Sequence, residues 1–297
     1  MSRSLGAALA ATVRRLERAG IELPRLEARL LIEQATGLSR EAQLASPERH
    51  LSPVEEERLE ALVGRRLRRE PLAYVLGRKE FRGLVFEVGP EVLVPRPESE
   101  LLVDVAVERL ADRRAPCLRM VDIGTGSGCL MIALLLELPH SFAIGTDLSL
   151  PALRLARRNA VTHGVQERAR FVCTHFAEAL AGPFDLVIAN PPYLTTAELA
   201  AAPPELAFEP ALALASGPSG LEAYRAIAAD LPRILAPEGV AVLELAAGRA
   251  SSIAAVFAEA GLAVIDELAD LAGLPRVLVV ANADDRRRNG SDKLESF

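Results

Sequence analysis

The sequence of 297 residues lacks features that mark membrane, metal-binding and secreted proteins. No apolar run is long enough to cross a bilayer, so we expect no membrane partner. The first six residues contain one charged side chain and no clear cleavage site, so we expect no signal peptide. The three cysteines, Cys117, Cys129 and Cys173, lie in largely apolar surroundings, which predicts reduced core thiols in a cytoplasmic protein. The four histidines are scattered, so we expect no metal site.

The charge balance argues against one large class of partners. A net charge of −6 argues against a general nucleic-acid-binding protein, which would carry a broad basic face. One basic run, residues 65–69, is an exception. We predict that it forms the solvated face of a helix. A docking surface for an RNA-associated partner is the alternative.

The pattern of apolar residues divides the chain into a helical part and a mixed part. Up to about residue 70 apolar residues recur at helical spacing, and Ser52-Pro53-Val54-Glu55 is a good helix start. We therefore predict a helical domain over residues 1–75. A partly alternating stretch with a glycine predicts a β-hairpin linker over residues 76–91. A second domain covers residues 92–282, and the polar residues 283–297 are expected to form a flexible tail.

From residue 117 onward, strand and helix patterns alternate. The predicted strands are 118–123, 142–146, 169–173, 184–189, 239–245, 261–266 and 276–281. The predicted helices are 129–138, 150–163, 220–235 and 249–260. Alternation of this kind predicts an α/β fold with a mainly parallel, seven-stranded sheet covered on both faces.

A glycine-rich loop closes the first of these strands and opens a helix. It consists of Gly124, Thr125, Gly126, Ser127 and Gly128. Glycines let the backbone turn sharply and approach a ligand closely. A dinucleotide fingerprint requires G-x-G-x-x-G, whereas here Cys129 occupies the place of the third glycine. The spacing favours a ligand without a pyrophosphate and disfavours a nicotinamide dehydrogenase.

Two further residues at strand ends are candidates for the same ligand. Asp147 ends the second strand, where a carboxylate can accept bonds from both hydroxyls of a ribose. Its alternative role is to begin the cap of the next helix together with Ser149. Phe176 follows the third strand, where it can pack on an adenine ring or, alternatively, in the core.

The fourth strand ends in Asn190-Pro191-Pro192-Tyr193. The prolines make the turn stiff and stop the strand. The Asn190 side-chain oxygen and the Pro191 carbonyl can together accept the two hydrogens of an –NH₂ group, which leaves its nitrogen free to attack. Tyr193 adds a flat face for a planar substrate group. The alternative is a proline-rich turn without a ligand.

Another proline-flanked stretch, Pro95-Arg96-Pro97-Glu98-Ser99-Glu100, precedes a predicted helix. The prolines give the helix a rigid start, and the two glutamates suit its positive end. A plain helix start explains this pattern equally well.

Taken together, these motifs resemble a known family. The glycine loop, Asp147 and the Asn190–Tyr193 turn are similar to S-adenosylmethionine-dependent methyltransferases that modify a planar nitrogen. With residues 95–100 added, the chain resembles the HemK-type release factor glutamine methyltransferases over about residues 25–281. Two positions depart from the family pattern: Ser99 stands where Thr is usual, and His175 stands where an acid is frequent, which puts a side-chain contact to the adenine amine in doubt.

The resemblance implies a Rossmann-like methyltransferase domain that uses S-adenosyl-L-methionine. It further implies methylation of the glutamine amide in the Gly-Gly-Gln motif of class I release factors, with the helical domain holding the factor. The implied catalytic residues are Asn190, Pro191 and Tyr193. The implied cofactor-binding residues are Gly124, Thr125, Gly126, Ser127, Gly128, Asp147, Phe176 and Asn190. The implied substrate-binding residues are Asn190, Pro191, Pro192, Tyr193 and Arg96.

Three other functions remain open from the residues themselves. The same turn serves enzymes that methylate a ribosomal-protein glutamine or the amino group of a flipped nucleic-acid base. A binding module on translation factors would need no catalysis and would tolerate loss of Asn190. The acidic charge disfavours the nucleic-acid alternative, and we expect a monomer without a direct nucleic-acid partner.

Overall fold

The computed structural model describes residues 3–111 and 117–283, so the predicted tail lies almost entirely outside the described residues. Contacts divide the chain into two units. The first comprises the described residues up to Arg78 together with Pro203–Phe208, and the second comprises Lys79–Ala202 and the residues from Glu209 onward. The sequence-based division assigns Pro203–Phe208 to the second domain, whereas its contacts group it with the helices.

The first unit is helical, and its helices bury one shared apolar core. The helices are α1 (Leu5–Arg18), α2 (Pro24–Thr36), α3 (Arg40–Ala45), α4 (Pro53–Leu67) and α5 (Leu72–Leu76), and Pro204–Phe208 adds a 3-10 helix. Leu16, Leu31 and Ile32 are fully buried in this core. The predicted start of α4 is confirmed, because the Ser52 hydroxyl accepts from the Glu55 N–H and the Glu55 carboxylate accepts from the Ser52 N–H.

The basic run at the end of α4 does not form a solvated face, so that prediction is wrong for two of its arginines. Arg66 is only 6% exposed, and its guanidinium contacts the carboxylates of Glu27 and Glu205. Arg69 also pairs with Glu205, at 2.7 Å. A guanidinium can be buried when carboxylates and carbonyls satisfy its donors, and helical periodicity alone does not reveal such partners.

The second unit contains a short hairpin and a seven-stranded sheet. The hairpin strands are β1 (Arg78–Phe81) and β2 (Leu84–Glu87). The sheet strands are β3 (Leu118–Ile123), β4 (Ser141–Asp147), β5 (Ala169–Cys173), β6 (Phe184–Ala189), β7 (Leu235–Glu244), β8 (Leu262–Ala269) and β9 (Pro275–Asn282). Their order is β5-β4-β3-β6-β7-β9-β8, and β9 is antiparallel to both of its neighbours. The predicted fold class, a mainly parallel seven-stranded sheet with a separate hairpin, is confirmed.

Helices cover both faces of this sheet. The α-helices of the second unit are α6 (Glu100–Leu110), α7 (Cys129–Glu137), α8 (Leu150–Thr162), α9 (Thr196–Ala200), α10 (Ala211–Leu214), α11 (Glu222–Ile234) and α12 (Ala250–Glu259). One core cluster joins α6 and α7 to the sheet, and a second joins α11 and α12 to it. Because both faces are buried, the strands consist of nearly continuous apolar runs rather than alternating ones.

The strand order brings the candidate residues together at the carboxyl ends of neighbouring strands. β3 lies between β4 and β6, and all three strands are parallel. The glycine loop, Asp147 and Asn190 therefore all lie at carboxyl ends of adjacent strands. This is the topological switch point, where open α/β sheets bind their ligands.

The prediction that all three cysteines are core thiols is wrong for two of them. Cys129 is buried at the start of α7, but Cys117 and Cys173 are exposed. Cys117 comes just before β3, and Cys173 ends β5, the strand at one edge of the sheet. A thiol at a strand end is exposed even when its sequence neighbours are apolar.

The described part of the chain contains neither a candidate membrane span nor a cluster of metal ligands. In residues 3–111 and 117–283 no helix combines the length and the apolar character needed to cross a bilayer. The same residues contain no group of three or more His, Cys, Asp or Glu side chains that could hold a metal ion.

Asn159 on α8 connects the hairpin to the glycine loop. Its amide nitrogen donates to the carbonyls of Glu87 and Ser127, and its oxygen accepts from the Glu87 N–H at 2.8 Å. The side chain is 1% exposed, so its partners cannot replace these bonds with water. Through the Ser127 carbonyl, Asn159 therefore holds the glycine loop against α8.

We predict that Asn159→Ala lowers the free energy of unfolding by about 2–4 kcal/mol, because the buried Ser127 carbonyl and the partly buried backbone groups of Glu87 lose their partner. Arg158→Ala is the matched control. It removes an exposed ion pair with the same Glu87 and should cost less than about 1 kcal/mol. Urea unfolding monitored by circular dichroism measures both. Equal losses for the two variants would contradict the prediction.

Candidate active site

A cavity of about 400 Å³ opens at the carboxyl ends of β3, β4 and β6. Gly124 and Gly126 line it from the loop after β3, and Asp147 lines it from the end of β4. Asn190 and Pro192 line it from the turn after β6. The cavity thus brings the three predicted motifs to one place.

The glycine loop presents its backbone to the cavity. Gly124 and Gly126 have φ angles of 74° and 53°, in the left-handed region that favours glycine. A Cβ atom on Gly124 would meet nothing within 4 Å, so the space beside it is open to a ligand. The N–H groups of Gly124 and Thr125 both donate to the Thr146 carbonyl, which anchors the loop to β4.

Thr125, Ser127 and Gly128 shape the loop without lining the cavity. The Thr125 hydroxyl donates to the buried Asp122 carboxylate at 2.7 Å. The Ser127 carbonyl accepts from Asn159. A Cβ atom on Gly128 would lie 3.2 Å from the Cβ of Ala156 on α8, so glycine allows α7 and α8 to pack closely.

Burial raises the pKa of two groups beneath this loop. The pKa of Asp122 rises to about 7, because burial disfavours its charge more than the Thr125 hydrogen bond favours it. Burial raises the pKa of the Cys129 thiol to about 12, so this cysteine stays protonated and unreactive at neutral pH. Both groups therefore serve the structure of the loop.

Asp147 joins two elements of the cavity wall. One carboxylate oxygen accepts from the Gly126 N–H at 3.0 Å, and the other accepts from the Ser149 N–H at 2.8 Å. Burial raises its pKa, and these backbone donors oppose the rise. Each oxygen has a second lone pair, so the carboxylate can still accept two ligand hydroxyls. Asp147 thus holds the loop, and Ser149 separately caps α8.

His175 and Phe176 form an aromatic wall beyond the end of β5. Their ring centroids lie 4.4 Å apart in an edge-to-face arrangement. Phe176 has a φ angle of 45°, which is uncommon for a bulky residue. The same ring also packs partly against the core on the α11 and α12 side of the sheet. The His175 imidazole contacts the Glu178 carboxylate at 2.9 Å.

Asn190 belongs to a chain of hydrogen bonds at the edge of the sheet. Its amide nitrogen donates to the Ser99 hydroxyl at 3.0 Å, and that hydroxyl donates to the Glu244 carboxylate at 2.5 Å. Ser99 and Glu244 are each 3% exposed. Burial raises the pKa of Glu244 to about 7. Glu244 is not recognisable from the sequence, since a single acid at the end of an apolar strand belongs to no motif.

The Tyr193 backbone is held from two sides. Its N–H donates to the Leu214 carbonyl, and its own carbonyl accepts from the Arg249 guanidinium at 2.6 Å. Arg249 also contacts both carboxylate oxygens of Glu198 at 2.7 Å. A Cβ atom on Gly220 would lie 2.0 Å from a guanidinium nitrogen of Arg249, so only glycine fits beside this clamp.

Arg96 does not line the cavity. Its guanidinium pairs with the carboxylate of Glu209 at 2.6 Å, and the second oxygen of that carboxylate accepts from the Val94 N–H. The Glu209 side chain is only 2% exposed. In the described structure Arg96 therefore anchors the segment before α10, and a role toward a substrate remains a prediction.

The opposite wall of the cavity was not predicted as a site. It is formed by residues of the segment 210–226, among them Leu212, Ser216 and Glu222. The Glu222 carboxylate accepts from the N–H groups of Ser219 and Leu221, which shapes the turn before α11.

The arrangement suits transfer of a group between two ligands. One side of the cavity offers backbone and a carboxylate to a polar ligand, and the other offers Asn190 at the end of a stiff turn. Pro191 is buried beside it and has no N–H, so its carbonyl is its single polar group. A substrate –NH₂ group held at Asn190 would lie in the same cavity as a ligand bound at Asp147.

Comparisons with known proteins agree with this geometry. The model of the PrmC N-terminal domain family matches residues 7–77, and that of the methyltransferase small domain family matches residues 99–209. A release factor glutamine methyltransferase of Rhodospirillum rubrum is 41% identical over 89% of this chain and 81% of its own length. The protein of that description from Bradyrhizobium diazoefficiens is 42% identical over 89% of this chain and 90% of its own length.

Among solved structures, the hMettl16 catalytic domain in complex with MAT2A 3′UTR hairpin 1 has a similar fold. The TM-score is 0.56 at 18% identity, over 75% of this chain and 82% of the other. At this identity the likeness concerns the fold alone, and it supports a Rossmann-like methyltransferase sheet.

Proposed function

Since the chain belongs to the family of release factor glutamine methyltransferases, we propose that it methylates the side-chain amide of a release factor glutamine. The substrate would be the glutamine of the Gly-Gly-Gln motif in class I peptide chain release factors, and the methyl donor would be S-adenosyl-L-methionine. The observation that carries the proposal is the shared cavity of Asp147 and Asn190. A shared cavity supports binding of the methyl donor beside the amide that accepts the methyl group.

The residues around the cavity fit this methyl donor. The space that a Cβ atom would fill at Gly124 is empty, so a ligand can approach the backbone closely there. Asp147 offers acceptors for the ribose hydroxyls, and Phe176 offers a face for the adenine ring. When bound, S-adenosylmethionine supplies an electrophilic methyl group on a sulfonium.

Asn190 and Pro191 would position the glutamine amide. The Asn190 side-chain oxygen and the Pro191 carbonyl would each accept one amide hydrogen, which aims the nitrogen lone pair away from the turn. Methyl transfer would break the S–CH₃ bond of the donor and form an N–CH₃ bond, with S-adenosylhomocysteine as the leaving group and one amide proton passing to water. As positive charge develops on the nitrogen, both hydrogen bonds strengthen, so they stabilise the transition state more than the ground state.

Positioning must supply much of the rate, because an amide nitrogen is a poor nucleophile. Near-attack geometry can contribute roughly 7–11 kcal/mol. The stiffness of the turn serves this purpose: the prolines restrict the backbone, and Arg249 holds the Tyr193 carbonyl. Tyr193 would complete the site with its flat face.

A separate docking surface would supply affinity for the intact release factor. A short glutamine loop offers little contact area, so a second contact would add binding energy and orientation. We assign it to the helical unit, where exposed Leu26 and Leu44 lie in a groove between α2 and α3. Three arginines and one acid also line this groove, and their excess of positive charge would suit an acidic partner surface: Arg25, Arg29, Arg40 and Glu33.

We expect Asp147→Ala to weaken S-adenosylmethionine binding by about 10–150-fold, the cost of losing charge-assisted hydrogen bonds. Asp104→Ala is the control, because Asp104 is an exposed partner of Arg82 and does not line the cavity. Isothermal titration calorimetry on folded variants measures both affinities. An unchanged affinity for Asp147→Ala would remove this residue from the cofactor site.

We expect Asn190→Ala to bind S-adenosylmethionine nearly as the wild type does, yet to lose turnover by about 100- to 1000-fold. The assay is mass spectrometry of an intact release factor after incubation with enzyme and labelled cofactor. The Gln→Ala variant of the Gly-Gly-Gln motif, a ribosomal protein and DNA serve as control substrates. Full activity of Asn190→Ala would contradict the mechanism, and label on DNA or on the Gln→Ala variant would contradict the proposed function.

We expect the double variant Leu26→Ser/Leu44→Ser to raise the KM for intact release factor by about 10-fold, because interface leucines lose their apolar contacts. Its cofactor affinity should be unchanged. Surface substitution is preferable to deleting the helical unit, because Arg66 and Arg69 hold Glu205 in the segment that continues from the Asn190 turn. Leu271→Ser, an exposed leucine of the other unit, is the matched control. Equal KM values for the wild type, the double variant and Leu271→Ser would reject this docking surface.

A further inference from the structure

We propose that Ser99 and the carboxylate of Glu244 are positioning residues that orient the Asn190 amide so that its carbonyl oxygen faces the substrate. The inference deepens the proposed function and rests on it. Neither residue lines the cavity, so neither would touch the substrate. Both would act through Asn190.

The sheet brings these three residues together. Strands β6 and β7 are parallel, and Ala189 pairs with Leu243. Asn190 directly follows β6 and Glu244 is the last residue of β7, so they lie side by side at the carboxyl ends of these strands. Ser99 ends the 3-10 turn Pro97–Ser99 and lies in hydrogen-bond contact with both. The Tyr224 hydroxyl donates to the Glu244 carbonyl and fixes the backbone there.

The number of available protons fixes which group donates in each hydrogen bond between Asn190, Ser99 and Glu244. An ionised carboxylate can only accept, so the single hydroxyl proton of Ser99 must point to Glu244. The Ser99 oxygen is then left as an acceptor, and it selects the –NH₂ end of the Asn190 side chain. The Asn190 carbonyl oxygen consequently remains available for the two hydrogens of a substrate amide. Without the Ser99 acceptor the Asn190 side-chain amide could rotate by 180°. Its –NH₂ group would then face the –NH₂ group of the substrate, and neither group could accept a hydrogen bond.

Protonation of Glu244 removes the selection. A protonated carboxyl can donate to Ser99, whose own proton then becomes free to point at the Asn190 oxygen. Burial raises the pKa of Glu244 to about 7, with the Ser99 hydrogen bond opposing the rise. The charged groups facing it are Arg276 from β9 and both Arg96 and Glu98 from the turn before α6. Their opposite signs offset one another in part, so burial remains the main cause.

A first test needs no substrate. The chain contains four asparagines, so selective ¹⁵N labelling gives few side-chain amide signals, and Asn190→Ala identifies those of Asn190. We expect the Asn190 side-chain signals of the wild type to shift with an apparent pKa of about 7. In Glu244→Gln this titration should vanish. Signals that do not titrate, or that titrate equally in Glu244→Gln, would overturn the proposal even if the release factor were not the substrate.

A second test measures kcat at saturating cofactor with the intact release factor. Ser99→Ala should lower kcat by about 10-fold at pH 8, the cost of one lost hydrogen bond to a charged network, with cofactor affinity unchanged. Ser99→Thr keeps the hydroxyl and should retain activity. The ratio of wild-type to Glu244→Gln kcat should grow from about 2 at pH 6 to about 9 at pH 8, because only the wild type gains a carboxylate.

The outcomes separate this proposal from the proposed function. Equal losses in Ser99→Ala and Ser99→Thr would indicate a steric role and overturn it. A ratio of wild-type to Glu244→Gln kcat that does not change with pH would also overturn it. Inactivity of the wild type toward every release factor, together with a normal ¹⁵N titration, would reject the substrate and leave the orientation of Asn190 supported.

Discussion

The structure of the site depends on the parallel pairing of β4, β3, β6 and β7. This pairing aligns the carboxyl ends of four strands, so that the glycine loop, Asp147, Asn190 and Glu244 share one edge of the sheet. A register slip of one residue would turn the side chains of a strand to the other face. The close packing of particular apolar side chains on both faces of the sheet opposes such a slip, and it thereby keeps these residues together at the carboxyl ends.

Electrostatic contacts then hold the chain after Asn190. Arg249 clamps the Tyr193 carbonyl, and the buried Glu209 carboxylate joins Arg96 to the Val94 backbone. Between these two points the chain contributes Pro203–Phe208 to the helical unit. Charged side chains therefore hold the stretch between Tyr193 and Glu209 at several points. A loop of this length without such contacts would sample many conformations.

Much of the fold could be predicted from the sequence, because the strands are short apolar runs that end in distinctive residues. The glycine loop, Asp147 and Asn190 are recognisable by their local pattern, and the sheet brings all three to one cavity. Glu244 and Arg249 were missed because their partners lie 145 and 56 residues away in the chain. The burial of Arg66 was missed for the same reason, since its carboxylate partners are Glu27 and Glu205. Pairings between distant residues leave no periodicity in the sequence.

The central claim is that Asn190 holds the substrate amide beside the methyl donor. The most direct measurement is a crystal structure of the enzyme with S-adenosylhomocysteine and an intact class I release factor. We predict that the glutamine amide nitrogen of the Gly-Gly-Gln motif lies within about 3 Å of both the Asn190 side-chain oxygen and the Pro191 carbonyl oxygen. The sulfur should lie above one face of the amide plane, in line with the nitrogen lone pair. A glutamine bound elsewhere, or one facing the –NH₂ end of Asn190, would contradict the account.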